Sequence, residues 1–249
     1  MFLTQEPTKE FKDKSFFDSG VMGRVSALIN GLRDKQSAAD EEAKCFEKSS
    51  ITGDSILVRI EKVLGDYNPE LTRLLLSPDA MECLTQLLGE PPVLFKEKIN
   101  FKLPGCRADK LHQDLAAGWN PYSDFFITMG IVVDENRKDN AALSFMKSGN
   151  YERGLMTPEW QPLSEDDPPY LPEDEYVLLE ADPGDVIFFD AYVPHGSPPN
   201  TGDRSRRNIF LTFNRRSDGD MRARYYQEKW ASYAPNRAEE ARAEESFRV

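Results

Sequence analysis

Histidine, cysteine and long apolar runs are scarce in this sequence of 249 residues, and each scarcity argues against a class of protein. The three cysteines, Cys45, Cys83 and Cys106, are odd in number and widely spaced, which argues against a disulfide framework and favours a reducing, cytoplasmic location. No apolar run approaches the roughly 18 residues of a membrane span. Residues 1–14 are charged and lack the apolar core of a signal peptide. The sequence therefore predicts a cytoplasmic protein with no membrane segment.

Positive charge is also in deficit. Lysine and arginine number 31 against 43 aspartates and glutamates, for a formal net charge of −12. Binding to nucleic acid needs a basic surface that neutralises phosphates, so this balance argues against a nucleic-acid partner. We expect a small-molecule substrate, and an anionic one would need a local basic pocket.

The length and composition are typical of one globular domain. Hydrophobic residues make up 39% and charged residues 30% of the chain, and 249 residues can enclose a single large core. We predict one domain over residues 1–249. Within it, residues 1–90 form a mainly helical cover, 91–215 a β core and 216–249 a C-terminal helical segment.

The first ninety residues show helical periodicity. Apolar residues recur in two stripes, one of Val25, Leu28, Ile29 and Leu32 and the other of Ile56, Ile60, Val63 and Leu64. The polar residues 33–55 between the stripes predict an exposed connection or flap. Asn68-Pro69 and Ser77-Pro78 each place a capping residue before a proline, so we expect helices to begin there, the second ending at Gly89.

From residue 93 the pattern favours β-strands. Residues 93–103 alternate, and the turn signal Pro104-Gly105 follows. The polar face of this strand carries Lys96, Lys98, Asn100 and Lys102. That face either meets solvent or lines the mouth of a site. Residues 125–133, which include Thr128, are largely apolar on both faces and predict a central strand, and residues 186–190 and 208–213 predict two more.

The two histidines of the chain, His112 and His195, have a setting that suggests a metal site. In an extended strand, side chains at i and i+2 point to the same face, so His112 and Asp114 present an imidazole and a carboxylate together. His195 is then available as a third ligand. Two histidines and one carboxylate, with the remaining positions open, are the ligand set of non-haem Fe(II) oxygenases. Arg206 follows His195 by eleven residues and leads into a predicted strand, where its planar guanidinium suits the far carboxylate of a metal-bound 2-oxo acid.

At these residues the sequence resembles the phytanoyl-CoA dioxygenase-like branch of Fe(II)/2-oxoglutarate oxygenases. The likeness is carried by His112-x-Asp114, by His195 in a His-Gly-Ser-x-x-Asn context, and by Arg206. It covers about residues 55–249, and the stretches 59–163 and 246–249 are most similar to bacterial hydroxylases of aminoethylphosphonates and their trimethylammonium relatives. One departure concerns residues 139–150. Here Asn140-Ala141-Ala142-Leu143 stands where the branch usually has Asn-Gly-x-Leu. The following turn, usually Pro-Gly-Ser-His, reads Lys147-Ser148-Gly149-Asn150 and lacks the proline and the histidine.

The resemblance implies a mainly β, α+β fold, a double-stranded β-helix (jelly roll, cupin-like) with helices packed outside. It also implies an enzyme that uses Fe(II), 2-oxoglutarate and O2 to hydroxylate a C–H bond, releasing succinate and CO2. By matching position, Ser197 and Gln113 would assist Arg206, and Lys96 or Asn100 would lie beside 2-oxoglutarate. His112, Asp114 and His195 would bind the iron.

The resemblance leaves the substrate open between several classes. An aminoalkylphosphonate or quaternary amine is the first expectation, with Lys98 and Thr128 as pocket residues and Lys96, Lys98, Lys102 or Arg207 as receivers of an anion. Trp119 and Tyr122 either bind an ammonium group through cation–π contacts or anchor their loop. A lipid or secondary-metabolite substrate is the alternative within the same chemistry. A non-catalytic metal-binding cupin-like protein, or a cupin enzyme using Zn, Mn or Ni, would be the alternatives outside it.

Overall fold

Two antiparallel sheets carry the fold in the computed structural model, which describes residues 15–35, 44–147, 149–159, 161–166 and 175–232. The strands are β1 (Lys44–Lys48), β2 (Ser55–Glu61), β3 (Pro92–Lys102), β4 (Asp109–His112), β5 (Phe126–Val132), β6 (Ser144–Met146), β7 (Tyr176–Leu178), β8 (Val186–Asp190), β9 (His195–Ser197) and β10 (Arg206–Arg215). One sheet has the order β1-β2-β3-β10-β5-β8 and the other β4-β9-β6-β7. This is the mainly β jelly roll that the resemblance implied.

The centre of the larger sheet follows from the apolar alternation of its strands. All seven residues of β5 are buried, as expected of a strand covered on both faces. β10 lies between β3 and β5, and its register places Arg206 opposite Lys102 and Phe210 opposite Lys98. This register brings the polar face of β3 into the interior between the sheets.

Four helices in the described residues flank the sheets: α1 (Ser19–Asp34), α2 (Pro69–Leu75), α3 (Pro78–Leu88) and α4 (Arg222–Ser232). The predicted caps are confirmed: Asn68 Oδ1 accepts a hydrogen bond from Leu71 N at 3.0 Å and Ser77 Oγ one from Ala80 N at 3.3 Å. α3 ends at Gly89, whose φ of +79° favours glycine. None of these helices has the length and apolarity needed to cross a membrane.

The core is divided by the larger sheet. On its outer face, apolar side chains of α1 to α3 pack against β-strand residues such as Ile99, Ile131 and Ile209, all fully buried. Between the two sheets lies a second cluster that includes Val132, Phe145, Phe189, Val193 and Phe210. A third, aromatic cluster closes one end of the barrel against α4, where Tyr225 and Tyr226 are buried.

α4 is attached to the barrel by a buried polar network. Glu97 is fully buried, and Arg222 forms an ion pair with it. The Tyr226 hydroxyl donates to Glu97 O at 2.9 Å and accepts from Glu97 N at 3.0 Å. Glu97, Arg222 and Tyr226 thus satisfy one another, as buried polar groups require.

The prediction of a second helical stripe at residues 56–64 is wrong, because this segment contains β2. Residues 33–55 are likewise more than an exposed connection, since β1 lies within them and pairs with β2. A short run rich in isoleucine and valine suits helix or strand, and pairing of Arg59 with Asn100 on β3 decides the matter here. The predicted helical break at Pro235 and the residues 246–249 lie outside the described part of the chain.

Candidate metal centre and adjoining cavity

The two histidines and Asp114 meet on the smaller sheet. His112 ends β4 and His195 begins β9, and the two residues are direct cross-strand partners. Asp114 opens the 3-10 turn that follows β4. One ligand atom from each of the three residues lies within 4.8 Å of the others, and all three are buried. The structure therefore brings together the ligand set predicted from the sequence.

Backbone carbonyls orient both imidazoles. Nδ1 of His112 lies 2.7 Å from Lys110 O, and Nδ1 of His195 lies 3.0 Å from Val193 O. A carbonyl can only accept, so each Nδ1 carries the proton and each Nε2 presents its lone pair. His112 Nε2 faces Asp114 Oδ1 at 3.9 Å. Such outer hydrogen bonds are how metal-binding histidines are held in position.

The protonation states also suit a divalent cation. Burial, with a smaller contribution from His195, lowers the pKa of His112 to about 4. Burial would raise the pKa of Asp114, but the nearby His195 and Lys98 outweigh it and hold that pKa at about 2. Asp114 Oδ1 is buried without a hydrogen-bond partner. A divalent metal such as Fe(II) binds neutral imidazoles and ionised carboxylates, and Asp114 Oδ1 has no other partner among the described residues.

A cavity of about 440 Å³ adjoins the three ligands and is lined by β1, β2, β3 and the segment 106–110. Its charged lining consists of the cations Arg59, Lys98, Lys102, Arg107, Lys110 and Arg206 and the carboxylates Glu47, Asp109 and Asp114. Six cationic side chains line the cavity against three carboxylates, in a chain whose net charge is −12. Two of these cations, Lys110 and Arg59, also pair with Glu165 and Glu61 outside the lining. The site is thus a local basic pocket.

Arg206 lies on the wall of this cavity, as its position in the sequence predicted. Its side chain is 3% exposed, and Nη2 donates to Ala141 O at 2.8 Å. Nε is buried without a partner, and burial lowers the pKa of the guanidinium to about 10. A buried guanidinium with an unused N–H is suited to receive a carboxylate.

Of the predicted helpers of Arg206, only Asn100 lines the cavity. Its Oδ1 is buried without a partner. Ser197 Oγ donates to Asp109 Oδ2 at 2.8 Å, and Asp109 also pairs with Lys102 at 2.9 Å. Gln113 donates to Gly154 O and Tyr192 O and accepts from Met156 N, so its amide holds neighbouring loops. Ser197 and Gln113 therefore contact the walls of the site.

The substrate candidates divide into two groups. Lys98 lines the cavity, whereas Lys96, Trp119, Tyr122 and Thr128 are not among its lining residues. Lys96 Nζ is buried without a hydrogen bond and lies 4.8 Å from the centre of the Trp119 ring. Trp119 and Tyr122 pack in the aromatic cluster at the end of the barrel, which matches the loop-anchoring alternative. Thr128 Oγ1 lies 3.0 Å from Thr212 Oγ1.

Arg207 is not available to receive an anion. Its guanidinium binds Asp134 through Nε and Nη2, each at 2.7 Å, and also contacts Asn30 and Ser26 of α1. In an extended strand, residue 207 points to the face opposite Arg206, which is the outer face covered by α1. Arg207 therefore links the helical cover to the sheet.

Sequence reasoning missed the contribution of β1 and β2 to the cavity, which includes Phe46, Glu47, Val58 and Arg59. The available signal was the placement of Arg59 and Glu61 two residues apart in an otherwise apolar run. Charged residues at period two suggest one polar face of a strand.

Comparisons with known proteins agree with this geometry. The family model described as phytanoyl-CoA dioxygenase (PhyH) matches residues 13–208. The chain belongs to the phytanoyl-CoA dioxygenase family. It is an enzyme, a dioxygenase that depends on Fe(II), 2-oxoglutarate and O2.

Two curated relatives of this chain have names that refer to phosphonates. The 2-aminoethylphosphonate dioxygenase of Uncultured bacterium HF130_AEPn_1 is 33% identical over 240 residues, which cover 94% of this chain and 90% of the relative. The methylphosphonate hydroxylase of Gimesia maris is 35% identical over 176 residues, covering 71% and 65%. The structure of EctD from S. alaskensis with 2-oxoglutarate and 5-hydroxyectoine has a TM-score of 0.63 at 21% identity, covering 83% of this chain and 71% of that one. This last likeness shows the shared fold.

Proposed function

We propose that this dioxygenase hydroxylates a C–H bond of a small phosphonate in the cytoplasm. In the balanced reaction, R–H, 2-oxoglutarate and O2 give R–OH, succinate and CO2. The observation that carries the proposal is the buried His-Asp-His set on the wall of a cavity that is lined by more cations than carboxylates. A cavity of this charge suits two anions, the co-substrate and a phosphonate. The free state of Cys45, Cys83 and Cys106 supports a reducing compartment.

In this proposal His112, Asp114 and His195 hold Fe(II), which with O2 supplies the oxidising chemistry when bound. The protein then contributes ligand geometry and charge. Carbonyls behind both imidazoles keep the Nε2 atoms directed at the metal. We infer one domain over residues 1–249, because in the described part of the chain His112 and His195 lie on strands of one sheet and Lys98 and Arg206 line their cavity from the other.

Arg206 binds the distal carboxylate of 2-oxoglutarate, and Asn100 lies beside the same molecule. Both line the cavity and carry a buried polar atom without a partner, Arg206 Nε and Asn100 Oδ1. Ser197 and Gln113 support this arrangement indirectly. Ser197 holds Asp109, which neutralises Lys102 opposite Arg206, and Gln113 fixes the loop after Asp114.

The substrate class follows from the charge of the cavity together with the names of the two curated relatives, a 2-aminoethylphosphonate dioxygenase and a methylphosphonate hydroxylase. A lipid would need a largely apolar tunnel, whereas this wall is rich in cations. We therefore propose a phosphonate with a short carbon chain, with or without an amino group.

The test is release of succinate from 2-oxoglutarate by purified protein loaded anaerobically with Fe(II) and then exposed to O2. Methylphosphonate, 2-aminoethylphosphonate and its trimethylammonium derivative are compared with the carboxylate analogue β-alanine and with a fatty acyl substrate. We expect succinate to rise with at least one phosphonate, matched by one equivalent of hydroxylated product. Succinate release only with the acyl substrate, or with none of the panel, would overturn the proposal. A His195→Ala variant provides the blank.

A further inference from the structure

An unbalanced group of buried cations lies beside Asp114, away from the Arg206 end of the cavity. The group, here called the cation cluster, consists of Arg59, Lys96, Lys98 and Lys229. Two nearby carboxylates face it, Glu61 and the metal ligand Asp114. Asp109 also acts on Lys98, but it forms an ion pair with Lys102.

Glu61 is already engaged within the cluster. Lys229 Nζ contacts both of its carboxylate oxygens, at 2.7 and 2.8 Å, and Arg59 Nε approaches at 3.1 Å. Glu61 is 1% exposed. One carboxylate thus serves two cations, while Asp114 faces the metal position. The charges of Lys96 and Lys98 are left without a dedicated protein counter-charge.

Lys98 is the member of the cluster that enters the cavity without a partner. Among the described residues it makes no hydrogen bond or ion pair, and its Nζ lies over the Phe210 ring at 5.6 Å from the centre. Arg59 lines the same cavity from the adjacent strand, where it pairs in register with Asn100. Diagonal neighbours on paired strands are roughly 7–8 Å apart, so both side chains can reach one group of atoms.

The position of Lys98 separates it from the co-substrate carboxylate. Phe210, the register partner of Lys98, lies four residues beyond Arg206 on β10. At a rise of about 3.3 Å per residue this is roughly 13 Å along the strand. Lys98 instead lines the same cavity as the three ligands His112, Asp114 and His195. An anion on Lys98 and Arg59 therefore lies near the metal position.

Burial of unpaired ammonium groups is costly, and a bound anion with several oxygens removes that cost. A phosphonate offers three oxygens on one atom, enough to accept from a guanidinium and an ammonium together. In a substrate with one or two carbons, the reacting C–H bond is held close to its phosphorus. Its anion receptor must therefore lie near the metal, which is where the cation cluster lies.

We propose that Arg59 and Lys98 form the phosphonate receptor of the active site and thereby set its specificity for short phosphorus oxyanions. This inference rests on the function proposed above. Lys96 lies two residues from Lys98 on the same face of β3: it is 1% exposed, its Nζ makes no hydrogen bond, and burial lowers the pKa of its ammonium group well below the usual value. Lys229 binds both carboxylate oxygens of Glu61, which also pairs with Nε of Arg59, and Arg59 lines the cavity from β2.

The test compares Arg59→Gln and Lys98→Gln with wild type, using whichever phosphonate the wild type turns over. Loss of a charge-assisted contact predicts a rise in KM for the phosphonate of about 10- to 100-fold in each variant. KM for 2-oxoglutarate and the affinity for Mn(II), used as a redox-silent metal, stay within about twofold. Lys48→Gln is the matched control, because Lys48 is an exposed lysine of β1 outside the cavity lining.

A second measurement separates binding from turnover. Calorimetry under anaerobic conditions, on protein loaded with Mn(II) and 2-oxoglutarate, measures the affinity for methylphosphonate directly. Lys98→Arg keeps the charge and should recover most of the affinity lost in Lys98→Gln. If Lys98→Gln does not fold, Lys98→Arg is compared directly with wild type.

Two results would overturn the assignment of Arg59 and Lys98 as the phosphonate receptor. In the first, both glutamine variants keep a KM for the phosphonate within threefold of wild type. In the second, the KM for 2-oxoglutarate rises instead, which would assign Lys98 to the co-substrate. Either result requires a wild type that turns over phosphonates. A wild type inactive on every phosphonate contradicts the proposed function itself, so the two failures are distinguishable.

Discussion

Replacing Arg206 by methionine should weaken 2-oxoglutarate binding while leaving the metal site intact. The guanidinium is 3% exposed, and on one edge it is held by Ala141 O, so it is already oriented before a ligand arrives. Methionine keeps a similar length and apolar stem but removes the charge and the N–H groups. His112 and His195 lie on the other sheet and keep their backbone supports, and Asp114 lies in the turn that follows β4.

The size of the expected loss in affinity follows from the burial of the contact between Arg206 and the carboxylate of 2-oxoglutarate. Truncating one partner of a buried, charge-assisted contact costs about 2–4 kcal/mol, or roughly a 30- to 700-fold rise in Kd at ~1.4 kcal/mol per tenfold. The free energy of unfolding gives an independent value. At 100 times its Kd, 2-oxoglutarate should stabilise wild type by about 2.7 kcal/mol. At the same concentration, a variant with hundredfold weaker binding should gain only about 0.4 kcal/mol.

The assay is anaerobic calorimetry of 2-oxoglutarate into Mn(II)-loaded protein, with urea unfolding in the presence and absence of the ligand. Arg206→Lys keeps the charge but loses the two-pronged geometry, and should fall between wild type and Arg206→Met. The ligand-free Arg206→Met protein should be no less stable than wild type, because an unpaired buried charge has been removed. A Kd for 2-oxoglutarate within threefold of wild type would refute the assignment of Arg206.

Four further predictions concern the site and its support. His195→Ala should weaken Mn(II) binding by at least about 100-fold, measured by calorimetry, and Mn(II) binding at wild-type affinity would contradict the ligand set. Arg207→Met should lower the free energy of unfolding by about 1–2 kcal/mol in urea, because Asp134 is a half-buried partner; an unchanged midpoint would show that this ion pair contributes nothing. Ala141 has a φ of +64°, where an L-residue is strained by about 1–2 kcal/mol. Ala141→Gly should therefore raise the free energy of unfolding by about 0.5–1 kcal/mol, and a lower value would argue against strain at this turn. Gly130→Ala should destabilise by about 1–3 kcal/mol, because a Cβ there would lie 2.9 Å from a side-chain carbon inside the barrel; a neutral result would mean that the interior yields easily.

Several features were predictable because they depend on local geometry. The caps at Asn68 and Ser77 follow from side-chain hydrogen bonds within one helical turn, and both are confirmed. The alternation of residues 93–103 likewise predicted β3. By contrast, residues 56–64 satisfied a helical and an extended pattern about equally, and the pairing of β2 with β3 decided between them.

The family resemblance supplied the jelly roll and the cofactors, and the comparisons confirm both. The departure at residues 140–143 has a structural correlate, since Ala141 takes the left-handed conformation at the position where the branch usually has glycine. The individual roles of Arg206, Asn100 and Lys98 stay predictions until the variants are measured.

The sequence alone determined the three ligand candidates, because only two histidines exist and one of them stands two residues before a carboxylate. Only the tertiary structure decided which other residues share their cavity. Lys96 and Lys98 are equivalent in the strand pattern, yet Lys98 lines the cavity and Lys96 is buried against Trp119. Arg59 reaches the site through β2, which the local pattern had not identified as a strand. Membership of a cavity depends on register between distant strands and on what covers each end of the barrel, and no local periodicity contains that information.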